Sequence, residues 1–123
     1  MAKWVTICSV DDILPDTGVC ALLDGQQVAI FRVGSGEDLY AVDNFDPFSR
    51  ANVLSRGIVG DCRGEPKVAA PMYKQSFSLR TGRCFDDPAI VLRTYELRVA
   101  RGRVQLRSDV RAGAALDTME TWA

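Results

Sequence analysis

The side chains most able to do chemistry in this chain are four cysteines, Cys8, Cys20, Cys62 and Cys84, and three adjacent carboxylate pairs, Asp11-Asp12, Glu37-Asp38 and Asp86-Asp87. Neither set has the spacing its chemistry requires. Structural zinc and cluster sites draw thiolates from closely spaced pairs, and no two of these cysteines form a C-x-x-C motif. They read as buried reduced thiols packed as small hydrophobes. Each carboxylate pair stands beside a turn signal, where a solvated loop face accounts for it, whereas acid–base work needs burial and neighbours to tune a pKa. The chain has no histidine. That removes Ser-His-Asp triads, Cys-His pairs, His-bearing zinc sites and haem ligation through histidine. Gly34-Ser35-Gly36 is a turn and no dinucleotide fingerprint, since Leu39 stands where the third glycine would be. No residue is nominated as catalytic or metal-binding.

The elements that would have to position a site are those of one small domain. At 123 residues, with 47% hydrophobic and 25% charged side chains, the composition is that of an ordinary globular fold. Fifteen basic against sixteen acidic residues leave a formal charge of −1, which offers no electropositive footprint for nucleic acid or an anionic membrane surface. No apolar run approaches the roughly 18 residues of a membrane span, and Met1 to Thr6 leads into no signal-like segment. The expected location is the cytoplasm.

Short segments rich in Val, Ile, Leu and aromatics recur between turn signals, and none sustains helical spacing. Strands are expected at residues 4–10, 19–23, 26–33 and 39–42, with Asp24-Gly25 supplying a two-residue type I′ turn. Residues 43–71 read as loop-rich, with Pro47, Gly57, Gly60, Gly64 and Pro66 as breakers and short strands at 57–59 and 67–69. Ser76 to Leu79 alternates outward serines with inward Phe77 and Leu79. The last hairpin, 95–100 with 103–107 through Arg101-Gly102, sets Val99 opposite Val104, Leu97 opposite Leu106 and Glu96 opposite Arg107, with Tyr95, Leu97 and Val99 facing the core. Residues 109–123 are a weak helix former and read as a C-terminal tail.

The stretch Tyr40-Ala41-Val42-Asp43-Asn44-Phe45-Asp46-Pro47-Phe48 resembles the approach to the first cluster loop of Rieske proteins, whose pattern there is Cys-Pro-His. Val68-Ala69-Ala70-Pro71-Met72-Tyr73 resembles their second loop, Cys-Pro-x-His, and Gln75 to Gly82 resembles the strand and turn that close it. Asp46, Phe48, Ala70 and Tyr73 therefore hold the four ligand places, and none can supply the two thiolates and two imidazoles of a Rieske centre. With Thr17-Gly18-Val19-Cys20-Ala21-Leu22, Leu54-Ser55-Arg56-Gly57 and Tyr95-Glu96-Leu97-Arg98-Val99, the combination resembles one family, the small subunits of assimilatory NAD(P)H-dependent nitrite reductase.

That resemblance implies an all-β, Rieske-type fold of small antiparallel sheets over residues 1–108, with a loop-bearing subdomain at about 43–83 and no cluster. It implies a non-catalytic small subunit in the reduction of nitrite to ammonium during nitrate and nitrite assimilation. Its partner would be a large catalytic subunit carrying FAD, an iron–sulfur cluster and sirohaem. The alternative is a Rieske-fold binding module or a ferredoxin-like component of another redox complex. An interface is expected at Asp46, Pro47, Phe48, Pro71, Met72, Tyr73 and Lys74, although Phe48 and Tyr73 could equally fill the space a cluster would occupy. Whether Cys62 and Cys84 stand near each other is left open.

Overall fold

The computed structural model describes residues 3–108, so the expected tail lies outside the described residues. Its strands are β1 (Lys3–Ser9), β2 (Thr17–Leu23), β3 (Gln26–Val33), β4 (Asp38–Asp43), β5 (Phe45–Asp46), β6 (Ala51–Asn52), β7 (Ile58–Cys62), β8 (Glu65–Ala69), β9 (Ser76–Ser78), β10 (Thr94–Tyr95), β11 (Leu97–Ala100) and β12 (Arg103–Ser108). They form a basal sheet β1-β12-β11, a central sheet β10-β4-β3-β2, a distal sheet β7-β8-β9 and a two-stranded ladder β5-β6, every pair antiparallel.

The central sheet is covered on both faces, which is why β3 reads as a continuous apolar run. Side chains alternate along a strand. Val28 and Ile30 therefore join Leu39, Ala41, Val104 and Leu106 in a first core against the basal sheet. Ala29 and Phe31 turn the other way and join Val42, Leu54, Val68 and Phe77 in a second core beneath the loops. Packing is tight at Gly18, where a Cβ would meet the Phe31 ring at 2.6 Å and the Ser55 carbonyl oxygen at 2.8 Å.

Both expected hairpins form, with Asp24 and Gly25 at φ 53° and 82° and Arg101 and Gly102 at 54° and 74°, the doubly positive geometry of a type I′ turn. Val99 faces Val104 and Leu97 faces Leu106. Several local expectations are corrected. Val10 begins a 3-10 turn and does not extend β1. Tyr95 leaves the last hairpin to pair with Ala41 in the central sheet, although it still packs on the first core.

Pro66 is no breaker and lies inside β8. Its carbonyl accepts from the Leu79 N–H, so its nitrogen faces the same side, beyond the end of β9, where no ladder bond is lost. A third doubly positive turn, Arg63-Gly64, lengthens β7 and β8 past the expected strands. Ser78 is buried, because the Glu65 side chain covers its side of the sheet. The four cysteines are free thiols, and only Cys84 is buried; Cys20 lies exposed on β2, the edge strand of the central sheet.

Candidate functional site

The two loops that resemble cluster loops share one backbone design. In each, the fifth residue donates its N–H to the first residue's carbonyl, Arg50 to Asp46 at 2.8 Å and Lys74 to Ala70 at 3.1 Å. Both donors sit in the left-handed region, at φ 60° and 65°. Pro47 and Pro71 occupy the second position and preset φ for the turn. The first loop is pinned by its own aspartate: the Asp46 carboxylate accepts from the Phe48 N–H at 2.9 Å and the Ser49 hydroxyl at 2.8 Å. The second is closed at its root by the Ala70 N–H donating to the Gln75 carbonyl at 2.8 Å.

The four ligand places separate by depth. Asp46 and Ala70 are fully buried. Phe48 is half-buried and packs on the second core, its ring centroid 6.1 Å from that of Phe77. Phe48 and Ala70 thus meet in one core. Tyr73 turns outward with 58% of its surface exposed, beside Met72 at 59%. Lys74 is also exposed, while Pro47 and Pro71 are half-buried. Of the expected interface, Met72, Tyr73 and Lys74 stand most open to a partner, and the Asp46 carboxylate is committed to its loop.

These residues do not fit a Rieske [2Fe-2S] centre. That centre takes two thiolates and two imidazoles, whereas these positions offer one engaged carboxylate, a methyl, a phenyl and an outward phenol. Among the described residues, no group of three or more His, Cys, Asp or Glu side chains is arranged to hold a metal ion.

The side chain that organises the first loop, Asn44, was not singled out from sequence. It is almost completely buried. Its Nδ2 donates to Gln27 Oε1 at 3.0 Å and the Asn52 carbonyl at 3.1 Å, and its Oδ1 accepts from the Ser55 N–H at 2.7 Å. One amide thereby ties β3, β6 and the 3-10 turn Leu54–Arg56 together. An Asn between a strand and a loop looks like any turn residue, so no local signal marks its burial.

A second polar knot joins the sheet ends. The Tyr95 hydroxyl donates to Asp43 Oδ1 at 2.6 Å and lies 2.8 Å from Gln26 Oε1, with the Arg93 guanidinium 4.9 Å from its ring centroid. Burial first, then the hydrogen bond to Asp43, pushes this phenol well above its ordinary pKa, so it stays protonated. Desolvation of the sulfur raises the Cys8 thiol, with Asp12 adding to it, and also raises that of the largely exposed Cys20. An open cleft of about 390 Å³ has Asp16, Asp38, Asp61 and Arg80 among its lining residues. Two of these carboxylates already cap backbone, Asp16 at the Gly34 N–H and Asp61 at the Gly64 N–H. The arrangement holds loops and offers no acid–base pair.

Comparison with known proteins agrees with this geometry. The family model for the Rieske-like [2Fe-2S] domain matches residues 3–107. The nitrite reductase (NADH) small subunit of Escherichia coli K12 is 50% identical over 107 residues, covering 87% of this chain and 99% of that protein. The NMR structure of the E. coli protein NirD superposes with a TM-score of 0.83 at 48% identity, over 89% of this chain and all of that one (100%). A nitrite reductase [NAD(P)H] large subunit of Klebsiella oxytoca is 45% identical over 101 residues, which are 82% of this chain and 10% of that much longer polypeptide.

Proposed function

Because this chain belongs to the Rieske-like [2Fe-2S] domain family and, within it, to the small subunits of NAD(P)H nitrite reductase, we propose that it serves as the non-catalytic small subunit of a cytoplasmic nitrite reductase in nitrate and nitrite assimilation. The observation that carries the reading is a retained pair of cluster loops whose four donor places are rebuilt as capping carboxylate, buried methyl, core phenyl and exposed phenol. An electron carrier of the Rieske type needs donors at those places.

The large catalytic subunit would bind FAD, an iron–sulfur cluster and sirohaem, take electrons from NAD(P)H and reduce nitrite to ammonium, chemistry that such cofactors supply. The small chain contributes a docking body, with its loops toward the partner through Met72, Tyr73 and Lys74. The Klebsiella relative supports this pairing, since it has a region similar to this chain within a protein named as a large subunit. Residues 1–108 are taken as one Rieske-like domain with the loop-bearing part near 43–83, and 109–123 as a tail.

The test is reconstitution. Purified anaerobically, the chain alone should be iron-free, colourless and inactive with NAD(P)H and nitrite. Added to a large subunit prepared without it, the chain should raise nitrite-dependent NAD(P)H oxidation or the melting temperature of the large subunit. A reduced-state Rieske EPR signal, or no effect on the large subunit at saturation, overturns the reading.

A further inference from the structure

The last described residue stands beside an open sheet edge. β2 ends the central sheet and pairs with β3 alone. Ser55 crowds it at Gly18, but toward its other end Cys20 is exposed and Leu22 has 70% of its surface open. An unpaired edge offers a row of backbone N–H and C=O groups to any extended segment that reaches it. Asp24 directly follows β2, and its carboxylate accepts from the hydroxyl of Ser108, the last described residue, at 2.7 Å. The chain therefore departs at the Leu23 end of the open strand.

The sequence beyond Ser108 matches that edge in length, direction and pattern. The family match stops at residue 107, so the fifteen residues 109–123 are additional to the Rieske-like fold. Fifteen extended residues reach up to about 50 Å, whereas the seven-residue β2 is about 23 Å long. A segment that starts at Asp24 and follows β2 runs antiparallel to it, as β3 does on the other side. Val110, Ala112, Ala114 and Leu116 stand at every second position, with Asp109, Arg111, Gly113 and Ala115 alternating between them. In an extended segment that period puts the apolar set on one face, suited to lie beside Leu22. A weak helical propensity yields readily to a waiting edge. Tethered at the end of the strand, the segment meets it at an effective concentration on the order of millimolar, ahead of any second copy.

We propose that residues 109–117 add to the outer edge of β2 as a fifth strand of the central sheet, covering Leu22 and Cys20 and closing the edge to other chains. This goes beyond the small-subunit reading and does not depend on it.

The test compares the full chain with a variant that stops after Ser108 and with an Ala114→Pro, Ala115→Pro double variant, each first checked for a cooperative melt. Adjacent prolines remove one N–H from each side of a strand, so one of them denies β2 a donor. The readouts are alkylation of Cys20 by N-ethylmaleimide, located by peptide mass spectrometry with Cys62 as internal reference, and hydrogen exchange across residues 20–23. Both variants should alkylate Cys20 about tenfold faster than the full chain and exchange faster at 20–23, with Cys62 unchanged. If the shortened chain fails to fold, the proline variant decides alone. Equal Cys20 rates in the full and shortened chains overturn the proposal, as does a proline variant that matches the full chain. Protection that fades on dilution, with a dimer in sedimentation, assigns the edge to a second copy. Protection that arises only with added large subunit assigns it to that partner, and either result also overturns the proposal.

Discussion

On one side of the central sheet, the first core is closed by strands of seven, four and six residues in long ladders, interrupted by one register shift between Thr6 and Cys8. On the other, the second core is closed by strands of two to five residues, and polar side chains supply bonds that longer ladders would have made. Asn44, Asp46 and Glu65 do there what strand pairing does in the base. A half that no longer fits a cluster keeps its loops in shape through such ties. Its stability should therefore depend on single residues to a degree the base does not share.

The largest effect that would test this contrast comes from the second core itself. Phe77 is fully buried beneath both loops, and Phe77→Ala should cost about 3–5 kcal/mol, measured by urea denaturation. Since β3 contributes to both cores, unfolding should remain one transition, with fluorescence and circular dichroism midpoints coinciding. Separate midpoints would mean that the halves are independent.

Asn44→Ala follows at about 2–3 kcal/mol, because it leaves the half-buried Ser55 N–H and Asn52 carbonyl without their amide partner. Hydrogen exchange should rise in the first loop while the basal sheet stays protected. Equal loss of protection in both halves would break the contrast.

The two aromatic ligand-place residues sharpen it further. Phe48→Ala should lower stability by about 2 kcal/mol, since a half-buried ring loses part of what a fully buried one would. Tyr73→Ala should change it by less than about 0.5 kcal/mol, the usual range for an exposed position. Thermal or urea melts of the isolated chain separate the two, and equal losses would erase the difference in depth between the loops.

A loss smaller than that at Phe48 belongs to the polar knot at the ends of the central-sheet strands β3, β4 and β10. Tyr95→Phe should cost about 1 kcal/mol at neutral pH through the lost hydrogen bond to Asp43. Burial and Asp43 raise this phenol above its ordinary value of 10, so its stabilising contribution is complete below pH 10 and declines as pH rises toward the folded value. Wild-type stability should fall above pH 10 more steeply than that of Tyr95→Phe. Parallel curves would remove the tyrosine from the account.

The base was legible because its information is local. Asp24-Gly25 and Arg101-Gly102 each dictate a two-residue turn, and alternating apolar residues then place Val99 on Val104 and Leu97 on Leu106 without further input. In the loop-bearing half, Pro66 was read as a breaker because the loss of its N–H matters only if a neighbouring strand needs it. That depends on where β9 ends.

The residues alone determined that no imidazole is available to a Rieske centre, a fact of composition, and the resemblance to Rieske loops implied that no thiol stands at the ligand places. They also determined the all-β class, through period-two patterning and turn chemistry. Only the tertiary structure decided that Phe48 turns inward and Tyr73 outward, that Asn44 is buried and that Ser108 stands beside the open edge of β2. Two aromatic side chains have nearly the same preference for burial. Which one is covered depends on neighbours brought together from β8, β9 and the segment after β9, and those contacts exist only once the distal sheet has folded over the central one.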